Sequence, residues 1–299
     1  MGKQRTTAKD RLHVYRMLDV PLREVSGICI RRARDHQMSL VAVGDRVAEV
    51  GWLSLPGHDM EASEWQTKKL GKLPGSEISR DHSQIEAVCA DGAGRIIVLQ
   101  EAPARAEVID LDASRTTASI DLVAEGDDKF SRAWSDADGS GGEGFVLLPN
   151  GHLLVAKEKK PAALIEFGRP GSRSQGLPRG GALEEGARWE VDEGRHEFVP
   201  LAIWFPDERL VERCKDFSDL EIGPDNRLYV LSDQSATIAR LDDLAPGGGT
   251  ASATAIWRLE GLKGKPEGLA FTTEGRAIVA LDKRKPRKNL VLLEPTIAI

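Results

Sequence analysis

The sequence predicts an all-β chain: a β-propeller of four-stranded antiparallel blades, five blades preferred and six the alternative. Three observations carry this. A hairpin layout recurs five times, a constant interval links an opening residue to a closing acid in four of the copies, and no long 3.6-residue hydrophobic periodicity runs through the chain.

Each copy opens on a small or acidic residue ahead of a short apolar strand. The openers are Ser26, Glu86, Glu143, Ser218 and Glu267. Turn residues follow at Asp91-Gly92-Ala93-Gly94, Pro149-Asn150-Gly151, Pro224-Asp225-Asn226 and Glu274-Gly275. Gly, Asn and Asp are the residues that tight hairpin turns demand. The returning strands IIVLQE, LLVAKE, LYVLSD and AIVALD are aliphatic, and each ends in an acid. Glu86 to Glu101, Glu143 to Glu158, Ser218 to Asp233 and Glu267 to Asp282 are all fifteen positions apart, and Ser26 pairs with Asp45 across a turn four residues longer.

Third strands follow at 47–53, 106–112, 162–168, 237–243 and 289–295. Fourth strands are predicted at 65–71, 116–122, 199–205 and 253–258. The fifth copy ends after its third strand, so the N-terminal segment LHVYRML is expected to supply its outer strand and close the ring. The whole chain, 1–299, reads as one domain. Gly168 to Glu197, rich in Gly, Arg, Ser and Pro, reads as an irregular surface insertion, with a lid over one face as the alternative. The stretch EFVPLAIWFPDERLVERCKDF holds room for one helical turn.

The chain has 299 residues, 47 acidic against 41 basic, and a net charge of −6. That balance, with 7 Phe, 6 Trp and 2 Tyr and no basic stripe among them, argues against nucleic-acid binding. Cys29, Cys89 and Cys214 form no CxxC pattern and read as reduced thiols. No apolar run reaches signal-peptide or membrane-spanning length, so the expectation is a cytoplasmic protein without membrane attachment.

Propeller geometry turns the repeat into a site. Residues of one repeat column form a ring at one height, and the second strand returns to where the first began. The openers and the closing acids Asp45, Glu101, Glu158, Asp233 and Asp282 therefore meet at one channel mouth, with Asp219 beside its opener. Crowded carboxylates must take up protons, pair with cations or bind a metal. Oxygen-only donors favour Ca²⁺ over Mg²⁺. The metal-ligand candidates are Glu86, Glu143, Glu267, Ser218 and Asp219. Glu158, Asp233 and Asp282 are candidate catalytic bases, and Lys159 and Lys283, in two aligned basic runs, are candidates for steering a small anionic ligand. The competing reading makes these acids strand caps, most of all in the closing column, where lysines and arginines lie close in sequence. Asp136-Ala137-Asp138-Gly139-Ser140 reads as a polar turn, with a calcium loop as the alternative. His82 and His152 read as isolated exposed histidines. Neither GxSxG, HExxH nor a Walker A pattern occurs.

The phrases EVSGI, QIEAV, GEGFVLLPNGHLLVAKEKKPAALIEF, KDFSDLEIGPDNRLYVLSDQSATIARLD and KPEGLAF resemble the SdiA-regulated β-propeller family over roughly residues 24 to 294. That family is similar to the esterase-like and phytase-like propellers. The resemblance implies a calcium-linked channel site at Glu86, Glu143 and Glu267, with Ser218 and Asp219 beside them. It implies no secure reaction. Ala87 and Asp219 stand where the family pattern has Gly. The readings carried forward are a calcium-binding propeller that presents its mouth to an anionic ligand or partner, a calcium-dependent hydrolase of phosphoesters, esters or lactones, and a scaffold without a site.

Overall fold

A computed structural model describes residues 10–32, 37–55, 64–78, 83–126, 131–132, 134, 141–184 and 186–297. The fold is all-β. Its strands fall into antiparallel runs of four. The first is β2 (Val25–Arg32), β3 (Met38–Gly44), β4 (Val47–Ser54) and β5 (Gln66–Lys69). The next is β6 (Ile85–Ala90), β7 (Ile96–Gln100), β8 (Arg105–Asp110) and β9 (Arg115–Leu122). Then come β10 (Gly142–Leu147), β11 (Leu153–Lys157), β12 (Ala163–Gly168) and β13 (Gly194–Pro206).

After the short helix α1 (Glu208–Arg213) the chain forms β14 (Asp219–Ile222), β15 (Leu228–Ser232) and β16 (Thr237–Leu241). The short β17 (Gly249–Ala251) pairs with β13, and β18 (Ala253–Glu260) completes the run. The last run is β19 (Lys265–Phe271), β20 (Ala277–Asp282) and β21 (Leu290–Glu294), with β1 (Arg11–Leu18) antiparallel to β21 on its outer side. Parallel pairings of β13 with β9 and of β1 with β18 fuse runs into nine- and eight-stranded sheets.

The strands are apolar on both faces because the runs stack on each other. Every residue of β7, β11 and β12 is buried. Apolar clusters lie between the first and second runs, second and third, third and fourth, fourth and fifth, and fifth and first. The innermost strands β2, β6, β10, β14 and β19 touch in the same cyclic order. The turns match their residues: Gly94, Gly151, Asn226 and Gly275, each eight positions after its opener, take positive φ of 77°, 78°, 56° and 82°.

Asp207 caps α1, its carboxylate accepting from Leu210 N at 2.7 Å. Residues 169–193 carry no regular strand, while the last four residues of the expected insertion, Gly194–Glu197, belong to β13. The segment is tied down rather than loose. Buried Glu166 accepts from Ser174 Oγ (2.7 Å), Gln175 N (3.0 Å) and Gly176 N (3.0 Å). Arg95 donates to Trp189 O at 2.7 Å. Trp189 is buried against β7 and β11 residues, because a bulky indole recovers more free energy in the core than in water. No described helix is long and apolar enough to cross a membrane.

Candidate functional site

The innermost strands share a local irregularity that positions the openers. Pairing of β6 with β7 jumps from Ile85–Gln100 to Ala87–Leu99, leaving Glu86 as an extra residue. The same bulge falls at Glu143 in β10, Glu267 in β19 and Ser26 in β2. In the fourth run Ser218 N donates to Leu231 O while Asp219 pairs with Leu231. A bulge twists the strand and re-aims the extra side chain. Here it does so at one height around the ring.

The acids converge. Burial raises the pKa of Glu86 well above the usual carboxylate range, and Asp45, Glu101, Glu267 and Glu158 add repulsion. Burial does the same to Glu143, with Glu86, Glu158, Glu101 and Glu267 adding to it. Glu267 is pushed up to about 7, mainly by burial, although Lys265 opposes the rise. Asp45 and Asp282 are also raised, first by burial. Glu86, Glu143 and Glu267 thus lie within electrostatic reach of one another and of the closing acids.

The columns differ in how their carboxylates are occupied. Four of the five closing acids have partners, Asp282 being the exception among the described residues. Glu101 accepts from Gly141 N at 2.7 Å, Glu158 pairs with Lys159, and Asp233 pairs with Lys265 at 3.1 Å. Asp45 is offset by Arg46 at 3.8 Å. Glu267 also reaches Lys265 at 3.1 Å. Glu86 and Glu143 have no hydrogen-bond or ion-pair partner among the described residues.

Other sequence candidates sit apart from that cluster. Ser218 Oγ donates to Pro266 O at 3.1 Å, and Ser26 Oγ to Ile85 O at 2.5 Å, so both serines tie one innermost strand to the next. Asp219 is buried with its carboxylate accepting from Leu269 N (2.6 Å) and Leu220 N (2.8 Å). It spans the β14–β19 seam. At the β10–β14 seam Gly144 is required instead, because a Cβ there would lie 2.4 Å from Leu220 N. Lys283 donates to Lys288 O at 2.6 Å, within its own loop. His152 is buried and bonds Glu166 at 2.6 Å, against the expectation of an exposed side chain, because the turn folds it under β12. His82 and Asp136–Ser140 lie outside the described residues.

Three contributors were not read from the sequence, although the register held them. Two positions before each opener stand Glu24, Gln84, Gly141, Asp216 and Lys265. Lys265 is the cation that enters the acid mouth, its pKa raised by Glu267 and Asp233 in spite of burial. Asp216 lies beside Asp233, forming a carboxyl pair. Burial and then Asp233 raise Asp216 to about 7, and Asp233 is lowered by its bonds to Asp216 and Lys265 against the pull of burial. Asp233 Oδ1 is buried with no hydrogen-bond partner among the described residues, and two adjacent carboxyls resist ionising together. Three positions after each opener stand Cys29, Cys89, Val146, Glu221 and Ala270. Glu221 lines a cavity near the turn ends of the innermost strands, and burial raises it to about 8.

The donor set at the mouth is all carboxylate oxygen, the chemistry of a hard cation. The side chains as placed are not a finished coordination shell: among the described residues no three Asp, Glu, His or Cys side chains group as a ligand set.

A model of the SdiA-regulated family matches residues 23–280. No curated protein matches the chain. Among solved structures, glutaminyl cyclase of Myxococcus xanthus aligns over 95% of this chain and 97% of its own, at 12% identity and a TM-score of 0.50. A virginiamycin B lyase from Staphylococcus aureus aligns over 95% and 98%, at 9% identity and a TM-score of 0.46. The aldose sugar dehydrogenase of Streptomyces coelicolor aligns over 95% and 97%, at 11% identity and a TM-score of 0.48. The first of these likenesses supports a propeller-type fold.

Proposed function

The chain belongs to the SdiA-regulated family, and we propose that it is a five-bladed propeller whose acid-lined mouth binds a cation, Ca²⁺ before Mg²⁺, and presents that face to a small anionic ligand or partner. The five antiparallel runs and the cyclic contact of their innermost strands support the blade count. The observation that carries the cation is the state of Glu86 and Glu143. They are two neighbouring, largely enclosed carboxyls that repel each other and have no partner among the described residues. Bound charge would relieve that repulsion. Glu86 and Glu143 would hold the ion, with Glu267 and water filling the remaining positions after modest side-chain rotation. Lys159 and Lys265, already at the rim, would receive the anionic group.

The experiment is thermal melting of chelator-treated protein titrated with Ca²⁺ and, separately, Mg²⁺. A hundredfold excess over Kd stabilises by about 2.7 kcal/mol. The expected result is a Ca²⁺-selective rise that disappears in Glu143→Gln. No rise with either ion, or a rise unchanged in that variant, refutes the cation reading.

The Asp216–Asp233 pair favours a second reading. A protonated carboxyl held against an ionised one is an arrangement suited to acid–base work. In a hydrolase of phosphoesters, esters or lactones, Asp233 would accept a proton and Lys265 would hold the anionic group. A bound Ca²⁺ would supply charge stabilisation. Glu158 and Asp282 remain the other base candidates. Turnover of a generic aryl ester, lactone or phosphoester, lost in Asp233→Asn with Ca²⁺ affinity intact, supports this reading. Absence of turnover across all three classes removes it.

A further inference from the structure

The hairpin-turn end of the innermost strands carries a partly open cavity of about 310 Å³. It lies at the opposite ends of the innermost strands from the acid mouth, and residues 169–193 run across it. Gly180 N donates to Asn226 O (3.0 Å) and Leu183 N to Leu147 O (3.3 Å), while Ala187 O accepts from Gly92 N (2.7 Å). This segment thus links the turns of three consecutive runs and places Leu183 in the cavity wall. The strap sits so close to the Asp91–Gly92 turn that a Cβ on Gly92 would lie 2.1 Å from Gly186 C. So close an approach leaves no room for a side chain at position 92.

The lining has a definite chemistry. Leu147, Leu183 and Phe271 supply apolar walls, and Cys29 and Cys89 supply two uncharged thiols. Asn226, Thr272 and Thr273 add neutral polar groups, and Glu221 adds a carboxyl. Its one recorded hydrogen bond is from Ile222 N at 3.0 Å, and among the described residues no ion pair reaches it. Of the other charged lining residues, Asp91 is spent on Arg95 at 2.6 Å, Glu184 is acidic and Arg32 is basic. Asp219, next along β14, is turned to Leu269 N. An anion would meet Glu221 and Glu184. A wholly apolar ligand would leave the carboxyl facing hydrocarbon, which is costly.

We propose that this strap-covered cavity is a second binding site, and that it takes a small organic ammonium ion, its apolar body against Leu147, Leu183 and Phe271 and its charged head against Glu221. The volume stands at the small end of ligand pockets, which matches an amine of a few carbons. No ion pair among the described residues reaches Glu221, and a bound ammonium would let its carboxyl ionise.

Calorimetric titration of the full chain with ethylammonium, n-butylammonium, n-butanol and n-butyrate tests this. The ammonium ions are expected to bind, about fourfold more tightly per added methylene, and n-butyrate is expected not to. Glu221→Gln should weaken n-butylammonium at least tenfold while leaving n-butanol unaffected. If that variant does not fold, Leu183→Trp, which fills the cavity beneath the strap, should abolish n-butylammonium binding. Equal affinity for n-butanol and n-butylammonium overturns the proposal, as does n-butylammonium binding that survives both substitutions. Ammonium binding that ignores chain length and vanishes in Glu143→Gln belongs to the acid mouth and overturns it too. Absence of any heat has the same consequence.

Discussion

Replacing Asp216 by Asn should stabilise the protein at pH 8 and leave it unchanged at pH 4. Asp216 is fully buried, lies beside Asp233 and is raised from 3.8 to about 7, first by burial and then by that neighbour. In the folded chain it keeps its proton across an interval where the unfolded chain has lost it. Folding therefore takes up a proton between about pH 4 and pH 7. The contribution is full below the unfolded pKa and disappears as pH rises through the folded one. A rise from 3.8 to about 7 is roughly a thousandfold in proton affinity, a ceiling of ~4 kcal/mol at ~1.4 kcal/mol per tenfold.

Asp233 is lowered in the same pair, so part of that energy returns, and ~2 kcal/mol is a fair working value. Asn keeps an oxygen for Ser232 and Gln234 and offers a permanent N–H to Asp233. For 299 residues the unfolding entropy near the midpoint is ~0.6 kcal/mol/K, so Tm should rise by ~3 °C at pH 8. Calorimetric melts of both proteins from pH 4 to pH 8 provide the assay. A variant less stable than the parent by the same amount at every pH would show that no proton is shared and would refute the reasoning.

Two further outcomes follow from particular contacts. Asp219→Ala should cost ~1–3 kcal/mol in urea melts, because Leu269 N is left buried without its acceptor, and Asp219→Asn should cost less because an amide oxygen can still accept. Glu166→Gln should speed tryptic cleavage at Arg173 and Arg179 about tenfold. The carboxylate that gathers Ser174, Gln175 and Gly176 would lose its charge, and local opening would become easier. Unchanged cleavage would mean that the Trp189 anchor alone holds the strap. Glu166 is kept low in pKa by His152, Ser174 and the two backbone amides, although burial opposes them. The strap of the parent should therefore loosen in acid, as pH falls through that lowered value.

The repeat and its turns were legible in the sequence, because propeller strands place equivalent residues at equivalent heights. The interval from Glu86 to Glu101 and from Glu143 to Glu158 is a hairpin length, a local quantity. Local quantities survive in one dimension. The sequence also held the columns that place Lys265, Asp216 and Glu221, but nothing in their residue types singled them out. Only tertiary structure decided which acids keep a partner. Glu101 meets Gly141 N from the next run and Asp233 meets Lys265 from another, whereas Glu86 and Glu143 repel each other across the channel mouth. Tertiary structure likewise turned Asp219 into a seam, folded His152 beneath β12 and drew residues 169–193 over the far opening. Each of these outcomes depends on backbone amides and carbonyls brought in from distant parts of the chain. Every residue carries such groups, so composition and spacing cannot say which ones will arrive.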